Sequence, residues 1–269
     1  MHFKVRDIGI SSGGPLIAIL NPKDALRLDL HAGDRIRITY KNRSTSAAVD
    51  ISEHLYAPHG NNKKHGVKEG EIALFEEVIE KLKLKDSPQV KVEYQDKPQA
   101  IDYIKKKLEG KTLSDFEINS IIKDLIDNKL TEIELTYFVS ACYTKGLSEN
   151  ETVALTKAIV KNGSTLKLNK KMVFDKHCSG GVPNNRTSMI IVPIVSALGL
   201  TIPKTSSRSI TSPSGTADTM EALAGVTFPV NKIKEIVKKT NGCLVWAGAT
   251  SLASADDKLI KLRHPLSLD

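Results

Sequence analysis

The sequence predicts an α/β protein in which a small β-rich, barrel-like domain and a helical domain precede the α/β domain proper. Three observations predict it. Arg35-Ile36-Arg37-Ile38-Thr39-Tyr40 alternates in the manner of a half-buried strand, amid other short β-like runs. Ser114, Thr131 and Ser148 each stand three residues before a glutamate, opening apolar runs of helical spacing. From about residue 164 short strand-like and helix-like runs alternate, the grammar of a sheet whose ligands bind beyond the carboxyl ends of its strands.

The first region, residues 1–84, opens with Val5, Ile8 and Ile10, turns at Ser11-Ser12-Gly13-Gly14 and continues through the apolar run Leu16 to Leu20. Asn21-Pro22-Lys23-Asp24 reads as a helix start, with a capping side chain and proline at the first helical position. Gly33-Asp34 then turns the chain into the alternating strand, and Ala47 to Ile51 and Ile72 to Val78 read as further strands. His54, His59 and His65 lie in the intervening loop among Pro, Gly, Asn and Lys, at spacings that match no metal-ligand pattern, so no metal is expected.

The second region, 95–163, is helical. Ile101, Ile104 and Leu108 mark its first helix, and the capped starts at Ser114, Thr131 and Ser148 give three more. Gly146 and Gly163 fall just past helix ends. Tyr137, Phe138 and Tyr143 read as core, and the region as scaffold or subunit interface.

In the third region, 164–269, Met172 to Phe174, Leu200 to Lys204 and Leu244 to Trp246 read as strands, with helices over Met189 to Leu198, Thr216 to Leu223 and Ile233 to Lys239. Two loops rich in glycine and hydroxyls interrupt the alternation. One is Lys176-His177-Cys178-Ser179-Gly180-Gly181 through Ser188; the other runs from Ser206 to Thr216. Each follows a β-like run and leads into a helix, an order that aims backbone N–H groups and a positive helix end at an anion. The flanking glycines favour Lys176 and His177 as ligands over plain loop residues. Arg208 favours oxyanion binding by Ser207, Thr211 and Ser212 over a merely hydrogen-bonded turn, because a guanidinium grips two oxygens at once. Thr216 and Asp218 serve as helix caps, and the Thr216 hydroxyl is also placed for a phosphate. Cys178 beside His177 has no orienting third partner, which argues against covalent catalysis.

Composition sets the outer limits. The chain has 269 residues, 40% of them hydrophobic and 26% charged, as expected of a globular protein of two or three domains. The net charge of +8 is spread along helices with few aromatics between the lysines, which reads as solvated faces rather than nucleic-acid binding. Three widely spaced cysteines give no disulfide framework or zinc site and fit a reducing compartment. No signal-like start or membrane-length apolar run is seen, so a cytoplasmic protein without a membrane partner is expected.

Asp175 to Val182, Ser207 to Ser212 and Gly215-Thr216-Ala217-Asp218-Thr219-Met220-Glu221 resemble the thymidine phosphorylase superfamily, and within it the AMP phosphorylases of the archaeal type. Ala253 to Asp257 and Pro265 to Asp269 extend the likeness, which spans the chain. The resemblance implies that Gly181, Ser207 to Ser212 and Thr216 bind nucleotide or phosphate, that Lys176 and Ser188 hold phosphate, that His177 lies near the base, that Arg263 contacts it and that Asp269 donates a proton. It implies phosphorolysis of a nucleoside 5′-monophosphate such as AMP, with orthophosphate as co-substrate, no cofactor, and a homodimer or larger homo-oligomer. A pyrimidine nucleoside phosphorylase acting on thymidine or uridine is the nearest alternative; a phosphoribosyltransferase of related fold and a nucleotide-binding remnant without turnover stand further off. Family members carry Ser where Cys178 stands and continue past position 269, so the chain reads as an N-terminal portion with an incomplete α/β domain.

Overall fold

A computed structural model describes residues 1–52, 66–177, 186–209, 214–248, 252, 254–266 and 268. The chain divides into two compact units, 1–105 with 124–134, and 106–123 with 135–269.

In the first unit β1 (His2–Asp7), β2 (Ile17–Leu20), β3 (Arg35–Tyr40), β4 (Arg43–Ile51), β5 (Glu71–Leu74) and β6 (Gln89–Tyr94) close a barrel in the order β1-β5-β2-β4-β3-β6. β1 pairs parallel with β5 and β2 parallel with β4; the remaining pairs are antiparallel. Phe3, Val5, Leu20, Ile36, Ile38, Val49, Ile72, Leu74, Val90 and Val92 fill the interior, all nearly or wholly buried. Helix α1 (Pro22–Arg27) begins as expected, with the Asn21 side chain accepting from the Lys23 amide at 2.9 Å.

Three details of this unit differ from the sequence reading. The run Ile72 to Val78 is not one strand: β5 stops at Leu74, and α2 (Glu76–Leu82) starts with Glu76 and Glu77 at its positive end. β6 lies past residue 84, so the domain expected over 1–84 must extend through residue 94 to close its sheet. Arg35 also breaks the alternation of β3. It is buried because its Nε donates to the Lys129 carbonyl at 2.8 Å while its guanidinium pairs with Glu134.

Four helices follow: α3 (Ala100–Leu108), α4 (Asp115–Ile126), α5 (Glu132–Lys145) and α6 (Glu149–Asn162). All three capped starts are reciprocal. Ser114 and Glu117, Thr131 and Glu134, and Ser148 and Glu151 each exchange a backbone amide for a side-chain oxygen. In the second unit Ile118, Ile121, Ile122, Phe138, Ala141, Ala154 and Ala158 are buried. Tyr137 and Tyr143 are not core, as the sequence reading had them, but 55% and 66% exposed. At about 100° per residue they rotate off the face that Leu135, Phe138 and Ala141 bury.

Gly146 is left-handed (φ +70°), but Gly163 is extended (φ −95°) and is glycine for another reason: a Cβ there would lie 2.4 Å from the Leu252 carbonyl oxygen. Between α3 and α6, Lys107 and Glu151 form a buried ion pair of 2.7 Å. Burial alone would raise the Glu151 carboxyl. Bonds from Lys107, the Leu113 and Ser148 amides and the Ser148 hydroxyl outweigh it and hold the group at about 2.

Beyond the helices come α7 (Thr187–Ala197), β7 (Ile202–Ser206), α8 (Thr216–Glu221), α9 (Val230–Thr240), β8 (Gly242–Trp246) and α10 (Ser254–Arg263). Among the described residues β7 and β8 form a two-stranded parallel sheet, with Ile202 opposite Gly242 and Ser206 opposite Trp246. Ile233 and Val237 of α9 pack on Cys243 and Val245 of β8. Met172 to Phe174, expected as a strand, joins no ladder among the described residues; the Phe174 amide instead donates to the Thr201 carbonyl at 2.7 Å.

Candidate functional site

Because β7 and β8 are parallel, Ser206 and Trp246 end at the same edge of the sheet, and residues 207–209 and Ala247 leave from it. Apolar side chains hold the strands in place, so the polar residues that follow them are presented at the carboxyl edge, where α/β sheets bind ligands.

Arg208 stands at that edge with its guanidinium engaged from three sides. Nη1 donates to Asp218 Oδ1 at 2.8 Å and also pairs with Glu221 Oε2, Nη2 donates to Glu221 Oε1 at 3.0 Å, and the group lies 4.8 Å from the centroid of the Trp246 ring. These bonds, Glu221 first and Asp218 second, raise the pKa of Arg208 further. In return the Arg208 bond pulls Glu221 below the usual carboxylate range. For Asp218 burial pushes upward, but Arg208 and the amides of Gly215 and Ser209 prevail and lower it.

Asp218 Oδ2 accepts from the Ser209 amide at 3.0 Å and the Gly215 amide at 2.9 Å. One carboxylate therefore ties the two ends of the second loop together. The loop ends touch so closely that a Cβ on Gly215 would sit 2.8 Å from the Ser209 nitrogen, which accounts for glycine there. Amides that the sequence aims at an external anion are here satisfied by an internal one.

A second polar pair lies at the first loop. Lys176 Nζ donates to Ser188 Oγ at 3.1 Å, and Ser188, in the first turn of α7, is fully buried. His177 sits on Asp175 at 2.5 Å with both side chains exposed. Thr216 is the first residue of α8 and is buried. Ser207 is exposed, and its carbonyl accepts from the Ser206 hydroxyl at 3.0 Å. Arg263 closes α10, with Nε donating to the Leu268 carbonyl at 3.0 Å. Gly181, Ile210, Thr211, Ser212, Cys178 and Asp269, like His54, His59 and His65, lie outside the described residues.

Glu221 and Trp246 escaped the sequence reading, and Asp218 entered it only as a cap. A signal existed: two carboxylates three residues apart share a face of α8, directly after a loop that carries an arginine. Trp246, the one tryptophan of the chain, ends the neighbouring strand.

Comparison with known proteins agrees with this layout. Residues 101–163 match the helical bundle domain of the glycosyl transferase family, and residues 170–268 match its α/β domain. AMP phosphorylase 1 of Archaeoglobus fulgidus is 41% identical over 269 residues, covering 100% of this chain and 51% of that protein. The AMP phosphorylase of Methanococcoides burtonii is 43% identical over 270 residues, with the same two coverages, 100% and 51%. The chain thus spans about half the length of the curated relatives it matches. Among solved structures, anthranilate phosphoribosyltransferase from Thermus thermophilus shares the fold, with a TM-score of 0.52 and 20% identity over 62% of this chain and 51% of that one. No described helix is long and apolar enough to cross a membrane.

Proposed function

We propose, since the chain belongs to the glycosyl transferase family with paired helical-bundle and α/β domains, that the protein is a pentosyltransferase acting on AMP, with adenine and ribose 1,5-bisphosphate as products. The observation that carries this reading is that each of the two glycine-rich loops presents a cation with a polar partner, the Lys176–Ser188 pair at the first and the Arg208 fork at the second. A nucleotide phosphorolysis handles two phosphates, one attacking and one on the substrate; a nucleoside phosphorolysis handles one. Relatives named AMP phosphorylase, matched over the full chain, support the same choice.

In this reading Lys176, Ser188 and Thr216 hold orthophosphate, Gly181 binds nucleotide or phosphate, and Ser207, Arg208, Ser209, Ile210, Thr211 and Ser212 hold the 5′-phosphate. A phosphate oxygen forms a bond to ribose C1′ as the bond from C1′ to the base nitrogen breaks, through an oxocarbenium-like state. The bonding electrons leave with the base, and a proton must reach its ring. Asp269 is assigned that donation, His177 and Arg263 the surroundings of the base. A positioned acid of this kind contributes on the order of 10²–10⁴ in rate. Cationic side chains carry the phosphate charge, and no cofactor enters. We place the protein in the cytoplasm as a homodimer or larger assembly, in keeping with its cysteine usage and its family.

Phosphate-dependent release of base from AMP, compared with thymidine, tests the reading. Adenine release from AMP is expected. Turnover of thymidine alone would reject it, and AMP binding without base release would reduce it to nucleotide binding.

A further inference from the structure

The Arg208 fork that the proposed function assigns to a substrate phosphate is already occupied. Glu221 places both of its oxygens on the guanidinium, the two-point geometry that a phosphate would also adopt. Its neighbour Asp218 is committed differently: one oxygen goes to Arg208 and the other to the Ser209 and Gly215 amides, so removing it opens the loop. Glu221 is 43% exposed at the end of α8, and its side chain can swing into solvent without disturbing a backbone bond.

We infer that Glu221 is a built-in anion that fills the Arg208 fork until the substrate phosphate displaces it, and that it thereby tempers the enzyme's affinity for phosphorylated substrates while leaving that for unphosphorylated ones alone. This rests on the Arg208 assignment made above. The physical basis is competition. A carboxylate carries one negative charge, whereas a phosphate monoester at neutral pH carries nearly two and three acceptor oxygens. Only the more strongly charged group wins the fork. A neutral nucleoside has nothing to exchange for Glu221, so the arginine remains shut to it. Asp218 and the Trp246 ring keep the guanidinium aimed at the sheet edge while its partner changes. Glu221 is a specificity-determining residue acting through Arg208, and it touches no reacting atom.

Calorimetric titration of the full chain and its E221Q variant with AMP, ribose 5-phosphate and adenosine decides the matter, with thermal unfolding as the check that E221Q folds. Glutamine keeps the size of Glu221 and removes its charge. E221Q should bind AMP more tightly, by up to about fivefold, the upper range for exchanging a partly exposed ion pair. Adenosine affinity should stay where it was, which separates loss of competition from a general change in packing. Tighter ribose 5-phosphate binding by E221Q would sustain the gate even if the wild type proved to have no affinity for AMP, the result that would sink the functional reading instead. Unchanged or weaker binding of both anions overturns the gate, since Glu221 would then be a prop for Arg208. Equal gains for AMP and adenosine overturn it as well.

Discussion

The carboxylate of Asp218 holds Arg208 at 2.8 Å with one oxygen and, with the other, draws the Ser209 and Gly215 amides together. A side chain expected to do no more than cap a six-residue helix therefore fixes the entrance and exit of the loop beyond β7 and aims its arginine.

Asp218→Ala should cost about 1–3 kcal/mol of stability, because it leaves the Ser209 and Gly215 amides without their acceptor and takes from Arg208 one of its two carboxylate partners. Urea unfolding measures the loss. Hydrogen exchange locates it: the Ser209 and Gly215 amides should exchange faster than those of α9, and unchanged protection at both would contradict the assigned role.

Lys176→Met should weaken orthophosphate binding roughly 10- to 100-fold, the range for a hydrogen bond to a charged group. Ser188→Ala removes a neutral hydroxyl and should cost less, by about one order of magnitude. Titration calorimetry gives both. Affinities equal to wild type in the two variants would remove this pair from the phosphate site.

The Lys107–Glu151 pair predicts an acid limit. Glu151 is held at about 2 against an ordinary 4.5, so the folded state favours its ionised form. That stabilisation is complete above pH 4.5 and is lost as pH falls toward 2, amounting to about 3 kcal/mol. Acid unfolding of Glu151→Gln should show a flatter pH dependence in this window. At neutral pH the variant should be less stable by about 3–5 kcal/mol, since Lys107 is left buried and unpaired.

Trp246 supplies a direct optical readout. Its ring lies 4.8 Å from the Arg208 guanidinium, and no other tryptophan contributes to the signal. Addition of AMP should change the intrinsic fluorescence of the wild type and leave that of Arg208→Ala much less affected. An equal response in both would detach the arginine from the ligand.

Gly163→Ala and Gly146→Ala should both destabilise, for different reasons. The first drives a Cβ to 2.4 Å from the Leu252 carbonyl and should cost about 1–3 kcal/mol. The second imposes φ +70° on an L-residue with open space around it, at about 1 kcal/mol. Thermal unfolding of the two variants checks the order.

Local chemistry made much of this readable in the sequence. Capped starts at Ser114, Thr131 and Ser148 appear as written, since a hydroxyl and a glutamate three residues apart satisfy each other with no help from the rest of the chain. Long-range relations were not readable. Gln89 to Tyr94 alternates polar and apolar residues as β3 does, but nothing local says which strands it joins, and only pairing with β1 and β3 places it in the barrel. Tyr137 was misplaced because aromatic character does not reveal which face of a helix finds neighbours. In the site, Lys176 and Arg208 were legible as cations in glycine-rich loops, whereas Glu221 gained meaning only when α8 folded back beside Arg208.

The strand order of the barrel also dictates when it can exist. β1 finds its neighbours in β5 and β6, with His2 opposite Lys91, so during synthesis this strand waits for residues made almost ninety positions later. Until then Phe3 and Val5 have no interior to enter. Helices α3 to α6, closed by local contacts, can follow within moments of emerging. The nascent chain therefore carries an unfinished greasy segment until β6 emerges, the natural holding point for a chaperone during translation.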